Sequence, residues 1–525
     1  MDRTTDNTTE GWTTRISRRR ALQLGVGGGA AALAGMFDAR RAPAQTKPDA
    51  ELIIAMSSDP GHLDPRVEAG TPGFALLSHI HDAAVWRDER TNPIPWLVTK
   101  WEQPAANVLR WHLRKGVKFH NGEDFTAEAI KVTYESNAAP NSKAPWRARI
   151  GIIKEYRIRD TYTIDLVTEK PNRPLLRNTT SCQVMSPRAM KELGEKIATN
   201  PVGTGAYKFV EYRPGQHLVM EANSGWWGPK PAIKRLRVRF IPENGTRMAA
   251  LEAGEVMMVN NVPPDQLGRL RGNSELRILT WPTNRIIFVA LRTDRKPFDD
   301  KRVRQAMNHA IDREAIAKGI FGGMAPVAKA PIPEAVLGAH TGLPPYTYDP
   351  ARAKKLLAEA GATGATFNFG APNGRYLLDK QVSEAVAGYL EAVGFKVTFE
   401  NPVWSTFVTE VIKYEKAKYD GYLFGWGITS GEPDQALGDH FHSAAPKRTM
   451  YNNPEVDRYI AEERESFDDA KVKAALWKAQ ELIWSDAPWI FLYENPEVNA
   501  INKKLQWAGG RRDEYPIFTG ASIQG

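Results

Sequence analysis

Cysteine is almost absent from this chain. Cys182 is the only one among 525 residues. An internal disulfide is therefore excluded, and a cysteine-built metal or redox site with it. Cys182 also lies far from the N-terminus, so it is not the lipid-bearing cysteine of a tethered export product. A small buried apolar role is expected for it. Charge of one sign is not in great excess: 70 Lys and Arg stand against 61 Asp and Glu, a formal net charge of +9. The signs are mixed along the chain. The densest basic stretch, residues 234–240, alternates, with Arg235, Arg237 and Arg239 on one strand face and Leu236, Val238 and Phe240 on the other. That pattern fits a solvated sheet face; a nucleic-acid surface needs a broader patch with interleaved aromatics. After residue 45 no apolar run approaches the ~20 residues needed to cross a bilayer. Common catalytic signatures are missing too: no H-E-x-x-H, no G-x-S-x-G and no Gly-rich phosphate loop follows residue 45. The histidine pairs His79/His81 and His440/His442 lack acid or cysteine neighbours in zinc spacing and read as ordinary polar or core histidines. Glu462-Glu463 and Asp468-Asp469 read as a solvated helix face. No metal, cofactor or catalytic residue is expected.

What is present starts at the N-terminus. Ser17-Arg18-Arg19-Arg20-Ala21-Leu22 opens a Gly/Ala-rich stretch, followed by Ala42-Pro43-Ala44 before Gln45. A basic region, a mildly apolar core and a small-x-small site make an export signal over residues 1–44, and the paired arginines resemble a twin-arginine signal. Gly25-Val26-Gly27-Gly28-Gly29-Ala30 matches G-x-G-x-x-A, but no strand precedes it, so a dinucleotide loop is not inferred. The remaining ~480 residues suffice for two or three domains. Aromatics are plentiful, with 15 Trp, 16 Tyr and 19 Phe.

Periodicity assigns strands to residues 52–56 and 108–113, and a hairpin signal to 114–119 with Gly116 at its turn. Thr126 is placed to cap a helix carrying Ala127, Ile130, Val132 and Tyr134. Residues 158–168 alternate as a strand, and 201–209 form a glycine turn feeding another. Val303, Ala306, Met307, Ala310 and Ile311 recur at helical spacing, and Asp312 restarts a helix. Asp349-Pro350 is an N-cap with a proline at the first helical position, and Gly361 ends that helix. Residues 366–427 then read strand 366–369, helix 378–393, strand 395–399, helix 404–414 and strand 420–424. This β-α-β-α-β order predicts a parallel, doubly wound α/β sheet. In such sheets ligands lie beyond the carboxyl ends of the strands. The loops there, Ala371-Pro372-Asn373-Gly374-Arg375-Tyr376 and Gly425-Trp426-Gly427, are the leading binding candidates.

Several stretches, in order, resemble the family 5 extracellular solute-binding proteins, the dipeptide/oligopeptide/nickel-binding group of bacterial ABC importers. They are Leu63-Asp64-Pro65, Pro95-Trp96-Leu97-Val98-Thr99-Lys100-Trp101-Glu102, Trp111-His112-Leu113-Arg114-Lys115-Gly116-Val117-Lys118-Phe119-His120-Asn121-Gly122, Asn200-Pro201-Val202-Gly203-Thr204-Gly205, Pro297-Phe298-Asp299-Asp300-Lys301-Arg302-Val303-Arg304-Gln305-Ala306, Ala310-Ile311-Asp312-Arg313-Glu314 and Asp486-Ala487-Pro488-Trp489. The resemblance implies a two-lobed α/β periplasmic binding protein fold of type II, in its large peptide-binding class. It implies lobe I over 45–288 with an extra subdomain at about 87–200, lobe II over 289–491, and a return to lobe I over 492–525. The crossings would fall near 286–291 and 489–493. A monomeric periplasmic protein follows, one that captures a peptide-like solute and hands it to ABC permease and ATPase subunits.

The resemblance also implies a site. Arg375-Tyr376 matches a segment that faces the ligand carboxylate, Trp404 an aromatic at a helix start, and Gly425-Trp426-Gly427 the strand end. Peptide binders of this group place an aspartate three residues after that tryptophan to meet the ligand ammonium; here the residue is Thr429. A hydroxyl cannot replace a charge-assisted bond of roughly 1.5–3 kcal/mol. Glu432 and Asp434 stand nearby as carboxylates that could compensate. An anionic or blocked peptide-like molecule, an opine, an oligosaccharide or a nickel chelate therefore remain alternatives to a free dipeptide, and an exported hydrolase remains a further one.

Overall fold

The computed structural model describes residues 50–68, 70–445 and 448–524. The export signal expected over residues 1–44 lies outside them. The frame is a ten-stranded mixed sheet. Two long antiparallel strands, Leu276–Leu291 and Trp489–Asn502, run side by side through its middle. On one flank Gly421–Gly427 pairs antiparallel with the first of them, then Thr366–Gly370 and Lys396–Glu400 add in parallel. On the other flank come Met258–Val259, Glu51–Met56 and Arg235–Phe240, then the antiparallel strands His217–Ala222 and Tyr207–Arg213. Both chain segments that cross the molecule therefore belong to one hydrogen-bonded ladder. That ladder shifts register twice, across residues 283–285 between the pairs Pro282–Pro496 and Ile286–Glu494, and again between the pairs Ile287–Tyr493 and Phe288–Phe491.

The β-α-β-α-β stretch has the expected order, with helices Asp379–Ala392 and Trp404–Val411 between parallel strands. The second helix is shorter than its sequence pattern predicts; a separate 3₁₀ turn, Tyr414–Lys416, follows it. The caps expected at Asp312 and Asp349 form, and Asp300 caps a further helix. Asp300, Asp312 and Asp349 accept backbone N–H groups of Arg302, Ala315 and Arg352, which satisfies donors that a helix start leaves idle. Gly361 ends its helix at φ +66°, a left-handed conformation that suits glycine. In the middle of the sheet Phe288 stacks on Trp489 with ring centroids 3.4 Å apart, both fully buried.

Four expectations are corrected. Residues 158–168 are not one strand: Ile153–Asp160 and Thr163–Thr168 form a hairpin, because the Asp160 carboxylate accepts the Tyr162 N–H at 2.8 Å and turns the chain. Residues 114–119 do not return as a hairpin arm. Val108–Leu113 is already paired on both sides, with Val98–Ala105 and Thr163–Thr168, so Val117 and Phe119 go into the core instead. Thr126 precedes the helix Ala127–Ala138 without bonding to it through its side chain. Glu463 is buried, not solvated. The strands Val98–Ala105, Val108–Leu113, Thr163–Thr168 and Ile153–Asp160 make a separate four-stranded sheet. Helix Ala127–Ala138 covers it, with Tyr134 edge-on to Trp111 at 5.9 Å. Cys182 is buried beside Asn137, and burial pushes its thiol up to about 12. Among the described residues no helix is long and apolar enough to cross a membrane.

Candidate functional site

Arg375 is positioned by its own loop. Strand Thr366–Gly370 ends, Gly374 turns the chain at φ +77°, and the Asp379 side chain gathers the N–H groups of Gly374, Arg375 and Tyr376 at 3.1, 2.8 and 3.0 Å. The loop is thus fixed by one carboxylate at the start of the next helix. It sets the half-buried Arg375 guanidinium 4.8 Å from the Tyr376 ring centroid and 5.3 Å from that of Trp404. Among the described residues this guanidinium has neither a hydrogen bond nor an ion-pair partner. Burial lowers its pKa, but an arginine stays charged across any working pH. A desolvated cation held on two rings with its five N–H donors unspent is prepared for an anion.

Tyr376 has a different task. Its hydroxyl accepts the Gly425 N–H at 2.8 Å and donates to the Gly425 carbonyl at 3.2 Å. It therefore pins the end of the strand rather than facing open space. Glycine is required there, since a Cβ on Gly425 would lie 2.5 Å from Ile287 Cδ1 and 2.7 Å from Tyr376 Cε1. At Gly427 a Cβ would meet Arg285 Nη2 at 2.7 Å. Arg375, Tyr376, Trp404, Gly425 and Gly427 are thus brought together. Trp426 is displaced along the same sheet face: Trp404 to Phe424 is 5.9 Å and Phe424 to Trp426 is 6.4 Å between centroids. The three rings are partly exposed and form one apolar row.

Thr429 stands apart from Arg375. It is buried, 3.4 Å from Ser181 Oγ, and accepts from Gln435 Nε2 at 3.3 Å. The two carboxylates that could have compensated for it are engaged elsewhere. Glu432 lies 3.7 Å from Arg173 and 3.8 Å from Arg177, and Asp434 accepts from Arg464 at 2.7 Å.

Other groups here carry no local sequence signal. Arg285 sits in the break of the long ladder. It bonds both Glu514 oxygens through Nε at 2.8 and 2.9 Å, the Gly425 carbonyl at 2.9 Å and Thr71 Oγ1 at 2.6 Å. Glu497 feels Glu514, Arg285 and Arg375; burial and then the Glu514 charge push its carboxyl up. Glu68 is buried, and burial pushes it up to about 8 against the opposing pull of the Gly70 N–H and the Arg375 charge. These carboxyls ring Arg375 without forming an ion pair with it. They meet only through contacts more than two hundred residues apart, such as Arg285–Glu514.

His79, His81 and His440 are buried, and His442 is partly exposed. His79 Nδ1 bonds the Ala75 carbonyl and its ring lies over Phe518, while His81 Nδ1 bonds the Val184 carbonyl. Among the described residues no group of three His, Cys, Asp or Glu is arranged to hold a metal ion. A cavity of about 510 Å³ lies elsewhere, beside the four-stranded sheet, lined by Trp101, Arg173, Arg177 and Glu432 among others.

Side chains from both flanks of the sheet meet beside its two long strands, around an unpaired cation held on aromatic rings, an arrangement suited to holding a small solute. The chain belongs to the bacterial extracellular solute-binding proteins, family 5, whose model matches residues 92–447. It is similar to the glutathione-binding protein GsiB of Pectobacterium atrosepticum, 31% identical over 405 residues, which are 75% of this chain and 78% of that one. Its fold is similar to the periplasmic binding protein DppA from Helicobacter pylori in complex with the peptide STSA, with a TM-score of 0.86 at 24% identity, covering 92% of this chain and 99% of the other. It is likewise similar to MoaA from A. tumefacien R10 in complex with mannopinic acid, with a TM-score of 0.83 at 24% identity, covering 91% and 100%.

Proposed function

We propose that this protein is the periplasmic solute-capturing component of an ABC importer, and that its solute is an anionic peptide-like molecule, with glutathione the first to test. The reading rests most on one observation: the Arg375 guanidinium, held on Tyr376 and Trp404, has no acidic partner among the described residues. A ligand carboxylate is the natural partner, since a planar guanidinium takes a carboxylate bidentately. Tyr376, Gly425 and Gly427 shape the strand end, and Trp404 and Trp426 give the solute an apolar floor. Thr429 supplies no charge for a ligand ammonium, which favours solutes recognised through their anionic groups, opines included. Residues 45–288 with 492–525 act as one lobe and 289–491 as the other, pivoting about the crossings near 286–291 and 489–493, where the ladder shifts register between Ile287–Tyr493 and Phe288–Phe491. Residues 1–44 direct export and are removed. No chemical step is assigned to the protein; permease and ATPase subunits are its partners.

Thermal unfolding against a panel tests this reading. The panel holds glutathione, free and N-acetylated dipeptides, mannopinic acid, an oligosaccharide and a nickel–histidine chelate. A true ligand at ~100 times its Kd stabilises by about 2.7 kcal/mol. A shift with glutathione or the opine and none with uncharged sugars is expected. A shift with the oligosaccharide or the chelate alone overturns the anionic peptide-like assignment.

A further inference from the structure

At the opposite end of the ring row from Arg375, three side chains leave donors unspent around Trp426. His440 is only 4% exposed, and neither of its ring nitrogens has a hydrogen-bond partner among the described residues. Its ring meets Trp426 edge-on at 4.4 Å, with Trp489 at 5.0 Å and Phe288 at 5.7 Å closing it in. Burial, with the charges of Arg448 and Arg149, keeps the imidazole neutral. A neutral imidazole offers one N–H and one lone pair, and buried groups of this kind are paired in native proteins unless a ligand or water completes them.

The two arginines strengthen the case. Arg149 comes from the region of the four-stranded sheet and is buried. Its Nε and Nη2 both go to Asp439 Oδ2, while Nη1 is buried with no hydrogen-bond partner among the described residues. Arg448 lies 4.8 Å from the Trp426 ring centroid and gives one bond, from Nη1 to the Asp439 carbonyl at 3.2 Å. Arg149 thus takes the Asp439 carboxylate, while Arg448 is left with a backbone carbonyl and no ion-pair partner among the described residues. A second anion would restore the balance and take up the idle N–H donors of Arg149, His440 and Arg448.

We propose that Arg149, His440 and Arg448 form a second anion subsite, which takes a carboxylate of the same solute that Arg375 holds, so that the solute carries two anionic groups. This rests on the reading of the cleft as the solute site. The row Trp404, Phe424 and Trp426 runs between the two subsites and supports the middle of the solute.

A bare carboxylate tests the subsite without assuming the solute. Acetate titrated into ¹⁵N-histidine-labelled protein should move the resonances of one buried, neutral histidine saturably. Arg448→Gln should weaken that response about tenfold or more, and Arg448→Lys, which keeps the charge but not the fork, should fall between. Buried histidine signals that do not move, or an Arg448→Gln protein that responds like the wild type, mean that water alone completes His440, and the proposal fails. Calorimetry then tests the link to the solute. Glutathione should bind the wild type at least tenfold more tightly than its monoethyl ester, and Arg448→Gln should lose about tenfold toward glutathione. Equal affinity for acid and ester, or no loss in Arg448→Gln, overturns the two-anion solute. An acetate response without binding of any peptide or opine overturns the proposed solute class and leaves the subsite standing.

Discussion

Arg375 and Glu68 show how single residues acquire a role from what surrounds them. Arg375 has two rings and no ion-pair partner, but its charge opposes the upward push that burial puts on Glu68 and Glu497. Arg375→Ala should fold, with those carboxyls pushed further up, and weaken a carboxylate-bearing solute by about 1.5–3 kcal/mol, roughly 10- to 150-fold in Kd. Calorimetry on the ligand found by the panel checks this, and unchanged affinity removes Arg375 from the site. Glu68 works in the opposite sense. Its folded carboxyl is pushed up to about 8 from an ordinary 4.5 by burial. A raised acid stabilises the fold fully below its unfolded pKa, and that contribution is lost as pH rises toward the folded one. Glu68→Gln, which keeps an oxygen for the Gly70 N–H, should match the wild type near pH 4.5. It should be the more stable protein by pH 8.5, by an amount on the order of a few kcal/mol. Urea midpoints at the two pH values decide it; parallel behaviour of the two proteins would show that Glu68 is not desolvated.

At the scale of elements, the sequence is most readable where a residue acts on its near neighbours. Asp312 and Asp349 cap because a short acid just before a helical pattern can reach the idle N–H groups, whatever the rest of the chain does. The strand-helix alternation of residues 366–427 is legible for the same reason. The turn at residues 161–162 was hidden because alternation continues on both sides of it, and the Asp160 bond that makes it is a single contact. Glu463 looked solvated because its helix is charged, and only the approach of Arg173 at 3.5 Å from another part of the chain explains its burial. In the candidate site, Arg375 and Tyr376 follow from a strand end and Trp404 from the resemblance, whereas Arg285, Glu497 and Glu514 come from the long ladder and its C-terminal continuation and Glu68 from a loop near the N-terminal strand. That ladder yields its own prediction. Trp489 is buried against Phe288, Phe441 and His440 at the point where the second strand enters the sheet. Trp489→Ala should cost about 3–5 kcal/mol in urea unfolding, as expected for emptying a large aromatic site. A loss below 1 kcal/mol would mean that the neighbouring rings collapse into the space.

At the scale of the whole molecule, several ion pairs join the region of the four-stranded sheet to the second half of the chain. Arg149 pairs with Asp439, Lys170 with Glu465, Arg173 with Glu432 and Glu463, and Arg177 with Glu432. One backbone bond joins them, from the Arg173 N–H to the Arg464 carbonyl at 2.8 Å. An interface held by charges separates at less cost than one held by apolar packing, because water solvates the parted ions. This suits the two-lobed closure proposed above. The arrangement is also sensitive to losing one sign of charge. Glu432 and Glu463 are buried side by side, and Arg173 and Arg177 are the cations that reach Glu432 from across the interface. Replacing both arginines by alanine leaves two carboxyls facing each other in a dry place, so the stable response is to part and hydrate them. Arg173→Ala/Arg177→Ala should therefore favour an open form, with a larger radius of gyration in solution scattering. Its solute affinity should fall by about tenfold or more, since part of the binding energy is spent on closure. Saturating solute should bring the radius back toward that of the wild type. If the double variant scatters like the wild type without solute, the ion pairs do not hold the two halves together, and closure is set by the cleft alone.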